Sequence, residues 1–112
     1  MAALRYFARM VKLTVLYGPP SDPAAFDKYY LETHVPLADA IPGLRRNEVS
    51  KVSGSLDGSA PLYHLQAELY FDSADALSTA LGSAEGAAAA ADLANFATGG
   101  VTMMTSEVLK EA

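Results

Sequence analysis

Twice along this chain, a run with a period of two residues gives way across a short breaker to a run with a period near 3.6. In residues 10–17 (MVKLTVLY), Val11, Leu13, Val15 and Tyr17 fall on one side, and Lys12, Thr14 and Leu16 on the other. That is the pattern of a half-buried strand. A cluster of Gly, Pro and Ser over 18–23 ends it, with Asp22 placed to cap a helix and Pro23 at its first position. Phe26, Tyr29, Tyr30 and Thr33 then recur at i, i+3, i+4 and i+7, which predicts a helix over 23–33. Pro36 disfavours helical backbone at Val35, so this helix is expected to end or kink near His34. A short turn over 37–41 and a stop at Pro42-Gly43 follow.

The second instance is clearer. Residues 61–71 place Tyr63, Leu65, Ala67, Leu69 and Phe71 on one face, and Leu62, His64, Gln66, Glu68 and Tyr70 on the other. Asp72 or Ser73 caps a helical region over 74–96, in which Gly82 and Gly86 suggest an interruption. Its alanine run, 87–91, suits close packing on a sheet. Gly99-Gly100 stops it. Two weaker strands complete the pattern, a polar one over 44–53 and a mixed one over 101–110.

The order strand, helix, strand, strand, helix, strand is the split βαβ arrangement. The expected fold is α+β and ferredoxin-like (βαββαβ), with two helices on one face of a four-stranded antiparallel sheet. The other face is left open. Leu16, Leu62, Tyr70 and Met104 are placed on or near it among polar groups, which argues for a partner. A homodimer formed by two sheets packing face to face is expected.

Composition narrows the chemistry. At 112 residues the chain suits one domain, and 51% apolar against 19% charged residues argues against disorder. A net charge of −5 makes nucleic acid a poor partner. The absence of cysteine excludes disulfides, thiolate nucleophiles and iron–sulfur clusters, and two histidines are too few for an all-histidine metal site, so no metal is expected. No apolar run approaches the ~20 residues of a membrane span. Residues 1–9 do not fit the alternation that begins at Met10, and they read as an N-terminal extension before a domain over 10–112. With no signal peptide, a cytoplasmic protein is expected.

The segment Phe26-Asp27-Lys28-Tyr29-Tyr30-Leu31-Glu32-Thr33-His34-Val35-Pro36-Leu37, followed by Ile41-Pro42-Gly43-Leu44-Arg45-Arg46, resembles the EthD family of dimeric α/β barrels. Asp92-Leu93-Ala94-Asn95-Phe96 is similar to that family's Asp…Asn-Phe block near the end of its second long helix. The resemblance covers roughly residues 10–109. It implies a dimeric α/β barrel with a pocket between the sheet and the first helix. The family is named for an association with ethyl tert-butyl ether degradation, a P450-linked pathway, and its members are often labelled reductases, hence oxidoreductases. Related barrels include cofactor-free monooxygenases, lactone isomerases, polyketide cyclases and decarboxylases, so the fold transfers and the reaction does not.

Against that background His34 is the leading candidate for an acid/base, because an unperturbed imidazole titrates near neutral pH. It stands four residues after Tyr30, which could hold a substrate oxygen from the same helix face. The alternative is a structural histidine bonded to a carbonyl freed by the break at Pro36. Tyr29, Phe26, Thr33, Tyr17 and Tyr63 are candidate pocket residues, each with a core-packing or capping alternative. Asp92, Asn95 and Phe96 read as a helix-terminal packing and hydrogen-bond motif rather than as a catalytic acid, and His64 as a residue of the dimer interface. There is no G-x-G-x-x-G, P-loop or H-E-x-x-H. No cofactor is therefore expected. The expected activity is that of a cofactor-independent enzyme acting on a small hydrophobic or aromatic oxygenated compound by oxidation, cyclisation, isomerisation or decarboxylation. The alternative is a non-catalytic ligand-binding or accessory protein of an oxygenase pathway.

Overall fold

A computed structural model of the chain describes residues 9–111; of the expected extension over 1–9, all but Arg9 lies outside the described residues. Strands β1 (Val11–Tyr17), β2 (Arg46–Lys51), β3 (Leu65–Phe71) and β4 (Val101–Glu107) form one sheet in the order β2-β3-β1-β4. All three pairings are antiparallel. The register sets Leu13 beside Leu69 and Val15 beside Ala67, which gathers the apolar members of each alternation on one face. Helices α1 (Pro23–Tyr29), α2 (Val35–Asp39), α3 (Ala74–Leu81) and α4 (Ala84–Phe96), with the turn that joins α1 to α2, supply the other half of the core through Phe26, Tyr30, Ala38, Leu77, Ala80, Ala89 and Phe96. The architecture is ferredoxin-like as expected, with the second long helical region split in two. No helix among the described residues is long and apolar enough to cross a membrane.

The helix starts follow the sequence chemistry. Asp22 accepts the Ala25 N–H at 3.1 Å, with Pro23 in the first turn. Ser73 and Ser83 do the same for Ala76 and Gly86, each at 3.0 Å. Each side chain satisfies an N–H that the first turn leaves without a carbonyl.

Three details depart from the expectations. The first helix does not end near His34. It widens into a single π-helical turn over Tyr30–His34, in which the Val35 N–H reaches back five residues to the Tyr30 carbonyl, and it runs on as α2. Pro36 has no N–H and its ring crowds the carbonyl four residues earlier. The wider turn absorbs that conflict and leaves Val35 helical at φ −55° and ψ −46°.

Gly86 does not interrupt its helix either. The break falls at Gly82-Ser83, and Gly86 lies inside α4. A Cβ at Gly86 would stand 2.2 Å from the Ala80 carbonyl oxygen, so the missing side chain is what lets α4 start tight against the end of α3.

Finally, the pleat of β3 begins only at Leu65, and His64 is not on the open face. Its Nε2 lies 2.7 Å from Asp27 Oδ1 on α1, and its ring meets Phe26 edge-on at 5.2 Å. Asp27 also accepts from Lys51 Nζ at 2.7 Å. That bond holds the Asp27 carboxyl below the usual range, against burial and with help from His64.

The open face carries Leu16, Tyr70 and Met104 among Thr14, Gln66 and Thr102. Lys12 pairs with Glu68, and the Lys12 and Arg46 cations lie 5.7 and 5.4 Å from the Tyr70 ring centre. Leu62 lies outside the strand and is exposed.

Candidate active site

The π turn brings two side chains of the first helical region into the interior together. Tyr30 and His34 are both buried, with ring centres 5.2 Å apart. Thr33, which regular helical spacing places on the inner face, is exposed. His34, four residues after Tyr30, takes the inward position beside it.

His34 Nδ1 lies 2.9 Å from Asp92 Oδ2 on α4. Both residues are buried. The other carboxylate oxygen of Asp92 accepts the Tyr29 hydroxyl at 2.5 Å and the Asn95 amide at 3.0 Å. Burial pushes the Asp92 carboxyl up, but these three hydrogen bonds together outweigh it and hold it below the usual carboxylate range. An ionised Asp92 can only accept, so His34 Nδ1 carries the proton in that bond. Nε2 makes no hydrogen bond with the described residues. Phe96 lies beside the imidazole with ring centres 4.7 Å apart, and it also meets Tyr17, Phe26, Tyr29 and Tyr30.

A cavity of about 80 Å3 lies between the sheet and the helices, and His34, Tyr30 and Tyr17 line it. Its remaining wall is mostly aliphatic, from Leu13, Val15, Ile41, Leu69, Ala89 and Leu93 among others. Leu81 and Met103 also line it while about half exposed, and they mark where it approaches the surface. Burial pushes the Tyr30 hydroxyl up to about 12, with a hydrogen bond from Tyr17 opposing and the Asp39 charge adding. Tyr17 is raised further, by burial first and then by Tyr30. Both phenols are therefore neutral donors at neutral pH.

The other candidates separate. Phe26 and Tyr29 line a shallower outer depression with Asn95 and Thr98. Phe26 is a core ring stacked on Tyr30 at 5.8 Å, and Tyr29 reaches the site only through Asp92. Tyr63 is half-buried and lines neither space. The helix-terminal hydrogen bond expected of Asp92 is the one to Asn95, whereas its bond to His34, 58 positions away, has no signal in the sequence. Nothing in the polar run over 44–53 singles out Asn47, yet it lines the cavity from β2.

Comparison with known proteins shows the family of the chain. The EthD domain matches residues 18–100. An uncharacterised 11.0 kDa protein of the thcB–thcC intergenic region of Rhodococcus erythropolis is 47% identical over 98 residues, covering 88% of this chain and 94% of that protein. The crystal structure of an ethyl tert-butyl ether degradation (EthD) family protein from Bacillus halodurans is 40% identical, with a TM-score of 0.84 over 89% of this chain and 99% of the other. A protein of unknown function from Bacteroides fragilis, described as dimeric and ferredoxin-like, is 20% identical, with a TM-score of 0.65 over 88% of this chain and 96% of the other, and shares the fold. The matched domain and the similarity over nearly the full length place this chain in the EthD family.

Proposed function

We propose that the protein is a small cofactor-independent enzyme that moves a proton on an apolar oxygenated compound, with His34 as acid/base. The observation that carries the reading is the Asp92 carboxylate on His34 Nδ1, inside a mostly aliphatic cavity. A carboxylate there fixes the tautomer and the ring orientation, and it stabilises the imidazolium that forms when Nε2 takes a proton. In the step proposed, a C–H proton beside a carbonyl, or the O–H proton of a phenol, passes to Nε2. The electron pair is left on the substrate oxygen. The neutral Tyr30 hydroxyl donates to that oxygen, which a low-dielectric wall makes more effective than it would be in water. Cyclisation, isomerisation, decarboxylation and oxygenation are the reactions such a site could serve.

The cavity is roughly half the ~150 Å3 that admits a benzene ring in a buried apolar site. The reacting end of the substrate would lie inside, and the rest would extend past Leu81 and Met103. The protein would act as a homodimer joined through its open sheet face, as the dimeric relative suggests.

The test compares the parent with His34→Ala on a panel of small β-dicarbonyl and phenolic compounds, with circular dichroism to confirm the fold. Turnover by the parent that falls about a hundredfold or more in the variant is expected. No turnover by the parent across the panel would favour a non-catalytic ligand-binding protein.

A further inference from the structure

One buried polar atom, on a residue that lines the cavity, has no part in the proposed chemistry. Asn47 Oδ1 is buried and accepts no hydrogen bond from the described residues; it is the one such side-chain atom among them. Its residue lines the cavity and lies beside Leu69 on the helix-facing side of the sheet. The amide cannot simply be turned round. Its nitrogen donates to Asp39 Oδ1 at 3.1 Å, and a carboxylate offers only acceptors, so the oxygen must occupy the other position. A buried acceptor without a donor costs about 1 to 3 kcal/mol, a cost that a bound donor would remove.

We infer that Asn47 is a specificity-determining residue, whose carbonyl oxygen accepts a hydrogen bond from a hydroxyl or N–H group of the ligand. The substrate class narrows accordingly. It is an apolar molecule whose buried end carries a hydrogen-bond donor, such as a hydroxyl, other than the group that gives its proton to His34, and its methyl or ether analogues bind less well. Asp39 acts as the positioning residue, fixing which end of the amide is nitrogen and leaving the oxygen as the end without a partner. The inference rests on the reading of the cavity as a ligand site and not on proton transfer by His34.

Phenol and toluene, which share a shape and differ in the donor, are the probes. Their affinities are read from chemical-shift changes in the isotope-labelled protein. The parent should bind phenol about tenfold more tightly than toluene, the size expected for a hydrogen bond to an otherwise unpaired buried acceptor. Asn47→Ala removes the acceptor without filling the cavity and should lose most of that preference, and Asn47→Leu, which keeps the branched shape but is bulkier, is the second variant should the first fail to fold. Asp39→Ala, which frees the amide to rotate, should give an intermediate ratio. An unchanged phenol-to-toluene ratio in the folded Asn47 variant overturns the inference, and so does a parent that binds neither probe at millimolar concentration. Equilibrium binding is the readout, so a His34 variant that kept full turnover would defeat the proposed chemistry and leave this result standing.

Discussion

Asp92 Oδ2 lies 2.9 Å from His34 Nδ1, and the same carboxylate accepts from Tyr29 through its other oxygen. One buried acid thus ties the π turn to α4 and sets which imidazole nitrogen faces the cavity. Its consequences can be measured without knowing the substrate.

Asp92 should govern part of the acid stability. Its carboxyl binds a proton less tightly in the folded chain than in the unfolded one. The stability it contributes is therefore complete above the unfolded value of about 3.9, and is lost as pH falls through the folded value. Tyr29→Phe removes one of its donors, which should raise the folded value towards the unfolded one and move the acid unfolding limb to higher pH. Asp92→Asn should flatten that limb. Unfolding followed in urea between pH 2 and 7 checks both.

Phe96 is the ring that the aromatic cluster shares, in contact with Tyr17, Phe26, Tyr29, Tyr30 and His34. It is almost fully buried. Phe96→Ala should cost about 3 to 5 kcal/mol, a large part of the ~5 to 15 kcal/mol available to a domain. Phe96→Leu should cost less. Urea midpoints at constant slope measure the difference.

The two glycines near the helix break should respond oppositely to alanine. At Gly86 the new methyl would meet the Ala80 carbonyl, and displacing α4 should cost about 1 to 3 kcal/mol. At Gly82 the nearest atom is 3.6 Å away, so Gly82→Ala should be neutral or stabilising by up to about 1 kcal/mol. Thermal unfolding of the two variants side by side checks the contrast.

A charge at the centre of the open face should separate the proposed dimer. Leu16 stands on β1 between Gln66 and Thr102. Light scattering should give the mass of two chains for the parent and of one for Leu16→Arg. A parent with the mass of one chain would contradict face-to-face assembly.

The sequence showed the layers of this fold more plainly than its site. Alternation in Leu65–Phe71 and Val11–Tyr17 reports directly which side chains face the helices, because a strand's period is fixed. The Asp22, Ser73 and Gly82 boundaries are local hydrogen-bond chemistry and were legible for the same reason. The π turn was not, because Pro36 stops a regular helix and the tertiary packing that favours a wider turn over a stop lies outside the segment. The His34–Asp92 contact is long-range, and helical spacing around either residue carries no sign of the other. Asn47 sits in a strand of polar residues, where only the register with Leu69 distinguishes it.

Nitrogen-resolved NMR of the His34 imidazole reads the tautomer that the Asp92 bond imposes. The neutral ring should carry its proton on Nδ1, and the Nε2 resonance should move when phenol is added. A neutral ring with its proton on Nε2 and Nδ1 bare, or an Nε2 signal that ignores phenol, would overturn His34 as the acid/base of the cavity.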